Sequence, residues 1–201
     1  MREQLVSLKA IDEKQLRTQA SLWLDAIEKD HADLRCEQMS LNTFGYDAKA
    51  VRFAIDHVNV GQSAPQIEAT DINGKLFRLS DHLGKVVVVS FDSEPFMSRI
   101  FFYNDGQKTP PHPALSQQFD DQPFEFVTIS ASKPDKEFLS EAKTFGSLGT
   151  FIRGPDCSQY QSNWGTSNFP TTWIVDKSGK LAAWSFGGSD IRETIETLLK
   201  E

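Results

Sequence analysis

Apolar residues recur at Leu16, Ala20, Trp23 and Ile27, a spacing of three and four that predicts a helix capped by Asp12 and running towards Leu34. The stretch "TFGY" interrupts that pattern, and Asp47 is then the expected cap of a second helix with Val51, Ala54, Ile55 and Val58 on one side. From Val60 the period changes. "VGQSAPQIEATDINGKLFRL" reads as two extended segments joined by a turn at Asn73-Gly74, a hairpin pattern. "KVVVVSF" is a continuous apolar run, as expected of a central strand covered on both faces. "NDGQKTPPHPA" is a loop, "ALSQQF" a short helix, "FEFVTIS" a strand and "DKEFLSEAKTF" a helix. "GTFIRG" is extended, "DCSQYQSNW" a helical turn, and "TTWIVD" and "LAAWSF" are strands joined by "KSGK". Ser189 caps a last helix that turns Ile191, Ile195, Leu198 and Leu199 inward. This order predicts an α/β fold, a three-layer arrangement in which a mixed central sheet carries helices on both faces, preceded by an N-terminal helical extension.

The pattern divides the chain into a helical extension, residues 1–58, and a sheet-containing domain, residues 60–201. A length of 201 residues suits one such domain with an appendage. The apolar face of the appended helices must cover either that domain or a partner chain.

Charge narrows the partners. With 28 acidic against 21 basic residues the formal net charge is −7, and there is no Lys/Arg-rich cluster, so nucleic acid is not expected as a partner. No apolar run reaches the ~20 residues of a membrane-spanning helix. The first residues contain no unbroken apolar stretch of a signal peptide, which makes a cytoplasmic location the default expectation. The two cysteines, Cys36 and Cys157, have no second cysteine or histidine at ligand spacing, so no metal site and no cofactor are expected. A Cys36–Cys157 disulfide and two separate thiols both remain open.

Two motifs carry a resemblance. "VGQSAPQIEATDINGKLFRLSDHLGKVVVVSF" resembles the opening of the redoxin branch of the thioredoxin superfamily, the TlpA/ResA-type thiol–disulfide oxidoreductases and their peroxiredoxin relatives. "NWGTSNFPTTWIVDKSGKL" is similar to a later motif of the same family, and together they span about residues 60–201. The resemblance implies a thioredoxin-like fold. It also implies a W-C-x-x-C turn after the central strand, where a helix N-terminus lowers the first thiol's pKa and a second thiol resolves the mixed disulfide. Aligned on Phe91, those two positions hold Phe96 and Arg99, and no cysteine lies between residues 37 and 156. Pro170 matches the family's cis-proline, whose neighbouring backbone accepts an extended substrate segment. Phe169, Pro170, Phe96 and Arg99 are therefore the candidate binding residues for a peptide or protein partner. The expected function is a non-catalytic binding or scaffolding module, and the alternative is a divergent oxidoreductase or peroxidase using Cys157.

Other residues offer less. Cys157 has Arg153 to favour its thiolate and Asp156 to oppose it. Asp92 and Glu94 lack partners at ligand spacing, His112 sits among prolines, and Ser93 and Ser98 have no G-x-S-x-G context. Phe96, Ile100, Phe101, Phe102 and Tyr103 form an aromatic cluster that is either a contact surface or a filling of the core. Trp164, Trp173 and Trp184 are expected as core or cleft-lining residues.

Overall fold

The computed structural model describes residues 13–34, 43–91, 118–119, 121–130, 149–154, 157–166, 171–186 and 191–201. The run "VVVVSF" forms β3 (Val86–Phe91), and all six of its residues are buried. Its β-branched side chains suit a strand packed on both faces. It pairs in parallel with β4 (Phe124–Ser130) and antiparallel with β6 (Thr171–Val175). β5 (Thr150–Arg153) continues the sheet beyond β4, and β7 (Leu181–Phe186) continues it beyond β6. The order is thus β5-β4-β3-β6-β7, a mixed sheet of five strands. A separate antiparallel pair, β1 (Glu68–Thr70) and β2 (Leu76–Arg78), precedes it.

Alternation along β3 divides the core. Val87, Val89 and Phe91 face a layer that contains Phe77, Leu79, Ile129, Ile152, Trp164 and Trp173. Val86 and Val88 face Phe124, Phe126, Ile174 and the last helix, α4 (Ile191–Lys200), through Ile191 and Ile195. Leu198 and Leu199 pack against the same cluster, as the sequence pattern predicts.

Both hairpin turns use one chemical device. In "DINGK" and "DKSGK" the aspartate amide donates to the carbonyl four residues on, Asp71 to Lys75 and Asp176 to Lys180, each at 2.8 Å. The aspartate Oδ1 accepts from the amides two and four residues ahead, at 2.8 Å from both Asn73 and Lys75, and at 2.8 and 2.9 Å from Ser178 and Lys180. Burial alone raises the Asp176 carboxyl; hydrogen bonds from Lys180 and Ser178, and the Lys180 charge, outweigh it and hold the group below its ordinary value. Gly74 and Gly179 close the turns, both at φ +82°. The turn at Asn73-Gly74 joins two antiparallel strands, as the sequence predicts. A two-residue type I′ turn requires positive φ at both centres, and among the described residues only glycines have it. The loop is the longer form, with glycine alone left-handed.

The appended helices are α1 (Glu13–Asp30) and α2 (Phe44–His57). α2 begins earlier than its expected cap at Asp47. Thr43 is the cap, its hydroxyl accepting from the Tyr46 amide at 3.3 Å, so "TFGY" opens the helix rather than interrupting it. Gly45 allows this, because its amide donates to the Ala32 carbonyl at 3.0 Å and a Cβ there would lie 2.9 Å from Ala32 Cβ. A second correction concerns the stripe of α1: Trp23 is 66% exposed and Leu24 is the buried residue. One residue is about 100° of helix, and the packed face runs through Arg17, Ala20, Leu24 and Ile27. Arg52 of α2 clasps α1 through Asp25 at 2.7 Å and Glu28 at 3.0 Å. Arg17 of α1 donates to the Ile55 carbonyl and, at 2.8 Å, to Asn59 Oδ1.

One segment touches both edges of the large sheet. Near its start, Gly61 and Gln62 bond Leu181 on β7, and Ser63 bridges Lys180. Near its end, Asp71 bridges Ile152 and the Ile72 amide donates to the Phe151 carbonyl on β5 at 2.9 Å. Between them Ala64 and Ile67 are buried in the Trp164 layer.

Candidate functional site

The end of β3 brings three strands together, with Phe91 in register with Ile129 on β4 and Thr171 on β6. From Phe91 a series of aromatic rings runs outward. Phe91 and Trp164 lie 5.6 Å apart between centroids, Trp164 and Trp173 6.4 Å, and Trp173 and Trp184 6.2 Å. Trp164 is fully buried, whereas Trp184 is 58% exposed. The three tryptophans thus divide into core and cleft along one line. The indole nitrogens of Trp164 and Trp173 are buried, and neither has a hydrogen-bond partner among the described residues.

The outer end of this line borders a cavity of about 490 Å³ between α1–α2 and β6–β7. Trp173 and Trp184 line it from the sheet, Arg17 and Asn59 from the appended segment, and Thr171 from the start of β6. Arg17 was not singled out by the sequence pattern, because a cation within an apolar stripe reads as solvent-facing until the partner of the helix is known.

Cys157 opens α3 (Cys157–Asn163) and is buried, 3% exposed, within the Trp164 core layer as a thiol. The structure therefore places it among apolar side chains rather than at the surface. Cys36, Asp92, Ser93, Glu94, Phe96, Ser98, Arg99, the 100–103 aromatics, His112, Asp156, Phe169, Pro170 and Ser189 lie outside the described residues. The predicted helices over "ALSQQF" and "DKEFLSEAKTF" fall largely or wholly outside them as well. Among the described residues there is no group of His, Cys, Asp and Glu that could hold a metal ion, and no helix long and apolar enough to cross a membrane.

At the opposite end of β3 sits a polar cluster absent from the sequence reading. His82 stacks on Phe77 with centroids 4.7 Å apart, and its Nδ1 lies 3.5 Å from Glu125 Oε2. Lys85 Nζ is 3.5 Å from the same oxygen, and Thr150 donates to Glu125 Oε1 at 3.0 Å. Burial pushes the His82 pKa down; attraction from Glu125 and Asp81 opposes this, and Lys85 and Lys75 add to it. The ring is therefore neutral at pH 7. Because the unfolded chain binds a proton here more readily than the folded one, stability is complete above the ordinary histidine pKa of about 6.5 and falls as pH drops through it towards the lowered folded value. Thermal melts from pH 8 to pH 5 are expected to fall less steeply for His82→Phe than for the wild-type chain. Equal slopes would show that His82 is not the group responsible.

No protein-family model matches the chain. Curated relatives include the thiol-disulfide oxidoreductase ResA of Geobacillus thermodenitrificans, 24% identical over 147 residues that cover 70% of this chain and 79% of that protein. ResA of Bacillus thuringiensis subsp. konkukian is 22% identical over 149 residues, covering 73% and 80%. Among solved structures, the thioredoxin domain of a thiol-disulfide oxidoreductase from Bacteroides vulgatus superposes with a TM-score of 0.58 at 22% identity, over 71% of this chain and 99% of that one. A thiol:disulfide interchange protein, DsbE, from Chlorobium tepidum gives 0.56 at 18% identity, over 70% and 98%. Strand order and these likenesses together give the chain a thioredoxin-like fold, and over about 70% of its length its sequence is similar to thiol-disulfide oxidoreductases of the ResA type.

Proposed function

We propose that the chain is a thioredoxin-fold binding or scaffolding module without dithiol chemistry. The observation that carries this reading is the state of its sulfur. The sequence has two cysteines and no C-x-x-C, and Cys157 is packed in the apolar core. Thiol–disulfide exchange needs an accessible thiolate and, for turnover, a second thiol to resolve the mixed disulfide. Burial among apolar side chains, at 3% exposure, blocks the approach of Cys157 to a substrate disulfide. The same burial weighs against the alternative in which Cys157 acts alone.

In this reading residues 1–58 are a helical extension of the domain over 60–201. An extended peptide segment of a partner binds through Phe169, Pro170, Phe96 and Arg99, the positions that the family resemblance assigns to the groove. The register of Thr171 with Phe91 supports it, since the residue after Pro170 stands beside the end of the central strand.

Insulin reduction by dithiothreitol, followed by turbidity, tests the chemistry. Wild-type chain and Cys157→Ser are both expected to run at the rate of dithiothreitol alone. Turnover by the wild type that disappears in Cys157→Ser would sink the proposal in favour of a Cys157 oxidoreductase. Binding is tested with a displayed library of extended peptides: selected peptides should lose affinity on Pro170→Ala, and selected peptides indifferent to that change would remove the groove.

A further inference from the structure

The cavity between the appended helices and the sheet is large enough for a ligand, and its polar groups are already committed. At about 490 Å³ it falls within the range of small-molecule sites, about 300–1,000 Å³. Arg17 donates to the Ile55 carbonyl and, at 2.8 Å, to Asn59 Oδ1. Asn59 Nδ2 donates to the same Ile55 carbonyl at 3.2 Å. Arg17 has a further partner besides these, and Thr171 is not free either. These bonds tie α1 to the end of α2, so a ligand that drew Arg17 away would undo part of that joint. The surface left to a ligand is carbon: Ala20 of α1, Val51 and Ala54 of α2, and the indole of Trp184 on the sheet. Two of these residues stand open within the concavity, Trp184 at 58% exposure and Val51 at 41%. A ligand seated there removes that apolar area from water.

We propose that this cavity binds a small uncharged aromatic molecule. A charged group would give up its hydration without finding an uncommitted hydrogen-bond partner in the wall, whereas an uncharged ring has none to give up. Aromatic pairs gain beyond the area they bury, so Trp184 favours a ring over an alkyl chain. The site is separate from any peptide groove at Pro170 and stands or falls without it.

The probe is neutral 2-naphthalenemethanol, titrated into the full chain by calorimetry, with 2-naphthoate and 2-naphthylmethylammonium as its charged counterparts. Saturable one-to-one binding of the alcohol is expected, with a Kd below about 1 mM, and both charged probes should bind about tenfold more weakly or worse. In amide and indole N–H spectra of the labelled chain, the Trp184 signal should move with the titration. Val51→Asp, which sets a charge in the apolar wall at an exposed helix position, should weaken the alcohol about tenfold or more. Trp184→Leu keeps an apolar side chain but removes the ring, and should weaken it about three- to tenfold. Absence of saturable binding, an unmoved Trp184 signal, or full affinity in Val51→Asp overturns the site. A charged probe that binds as tightly as the alcohol overturns the uncharged class, and full affinity in Trp184→Leu overturns the aromatic one.

Discussion

Replacing Trp164 by alanine is expected to lower stability by about 3–5 kcal/mol, the range for emptying a large aromatic side chain from a closed core. The indole is fully buried and packs against both Phe91 and Trp173, so its removal empties the layer that joins β3, β6 and α3. Collapse is opposed on two sides, by the sheet and by α2 packed against Gly165. In a chain of this size such a loss lowers the thermal midpoint by about 6–20 °C. Trp164→Phe separates volume from polarity. The indole nitrogen has no hydrogen-bond partner among the described residues, so phenylalanine forfeits mainly packing and is expected to cost well under half as much. Denaturant unfolding of both variants checks this; equal losses would mean that the indole N–H has a partner after all.

Gly165→Ala is expected to be strongly destabilising. A Cβ at this position would lie 2.2 Å from Ala54 Cβ and 2.9 Å from Ala54 Cα, and the residue sits at φ +63°. Left-handed strain and overpacking together come to about 2–5 kcal/mol. Gly61 separates the two contributions, because it has φ +89° with nothing within 4 Å of a built Cβ. Gly61→Ala thus carries the strain alone, and the excess in Gly165→Ala reports the overlap with α2. Adding Ala54→Gly to Gly165→Ala should recover much of that excess, an interaction that only direct contact produces. If Gly165→Ala proves no worse than Gly61→Ala, α2 does not seat on this corner in solution.

The parts of this fold that were legible in the sequence are those set by local rules. "VVVVSF" and "FEFVTIS" are apolar or β-branched enough to declare buried strands, and both appear where expected. "DINGK" and "DKSGK" carry their hairpins in five residues, because one aspartate organises each loop. The errors fell where a choice depends on a neighbour. Trp23 and Leu24 are both plausible core residues of α1; the position of α2 decides between them, and no local signal encodes it. Thr43 and Asp47 are both good caps, and the contact of Gly45 with Ala32 selects the first. The cavity was the least legible feature. Its walls come from positions as distant as Arg17 and Trp184, so no motif spans it. His82 escaped notice for the same reason, since its environment is made by Glu125 and Thr150 on other strands.

The run from Gly61 to Ile72 bonds to β7 at one end and to β5 at the other, and those are the outermost strands of the large sheet. Unpaired backbone on an outermost strand is a template for pairing with a second molecule. A single segment therefore occupies backbone groups at the start of β7 and on β5 together. Proteolytic nicking within it would expose two sticky borders at once, which ties the colloidal behaviour of the whole protein to about a dozen residues that belong to neither the sheet nor the appended helices.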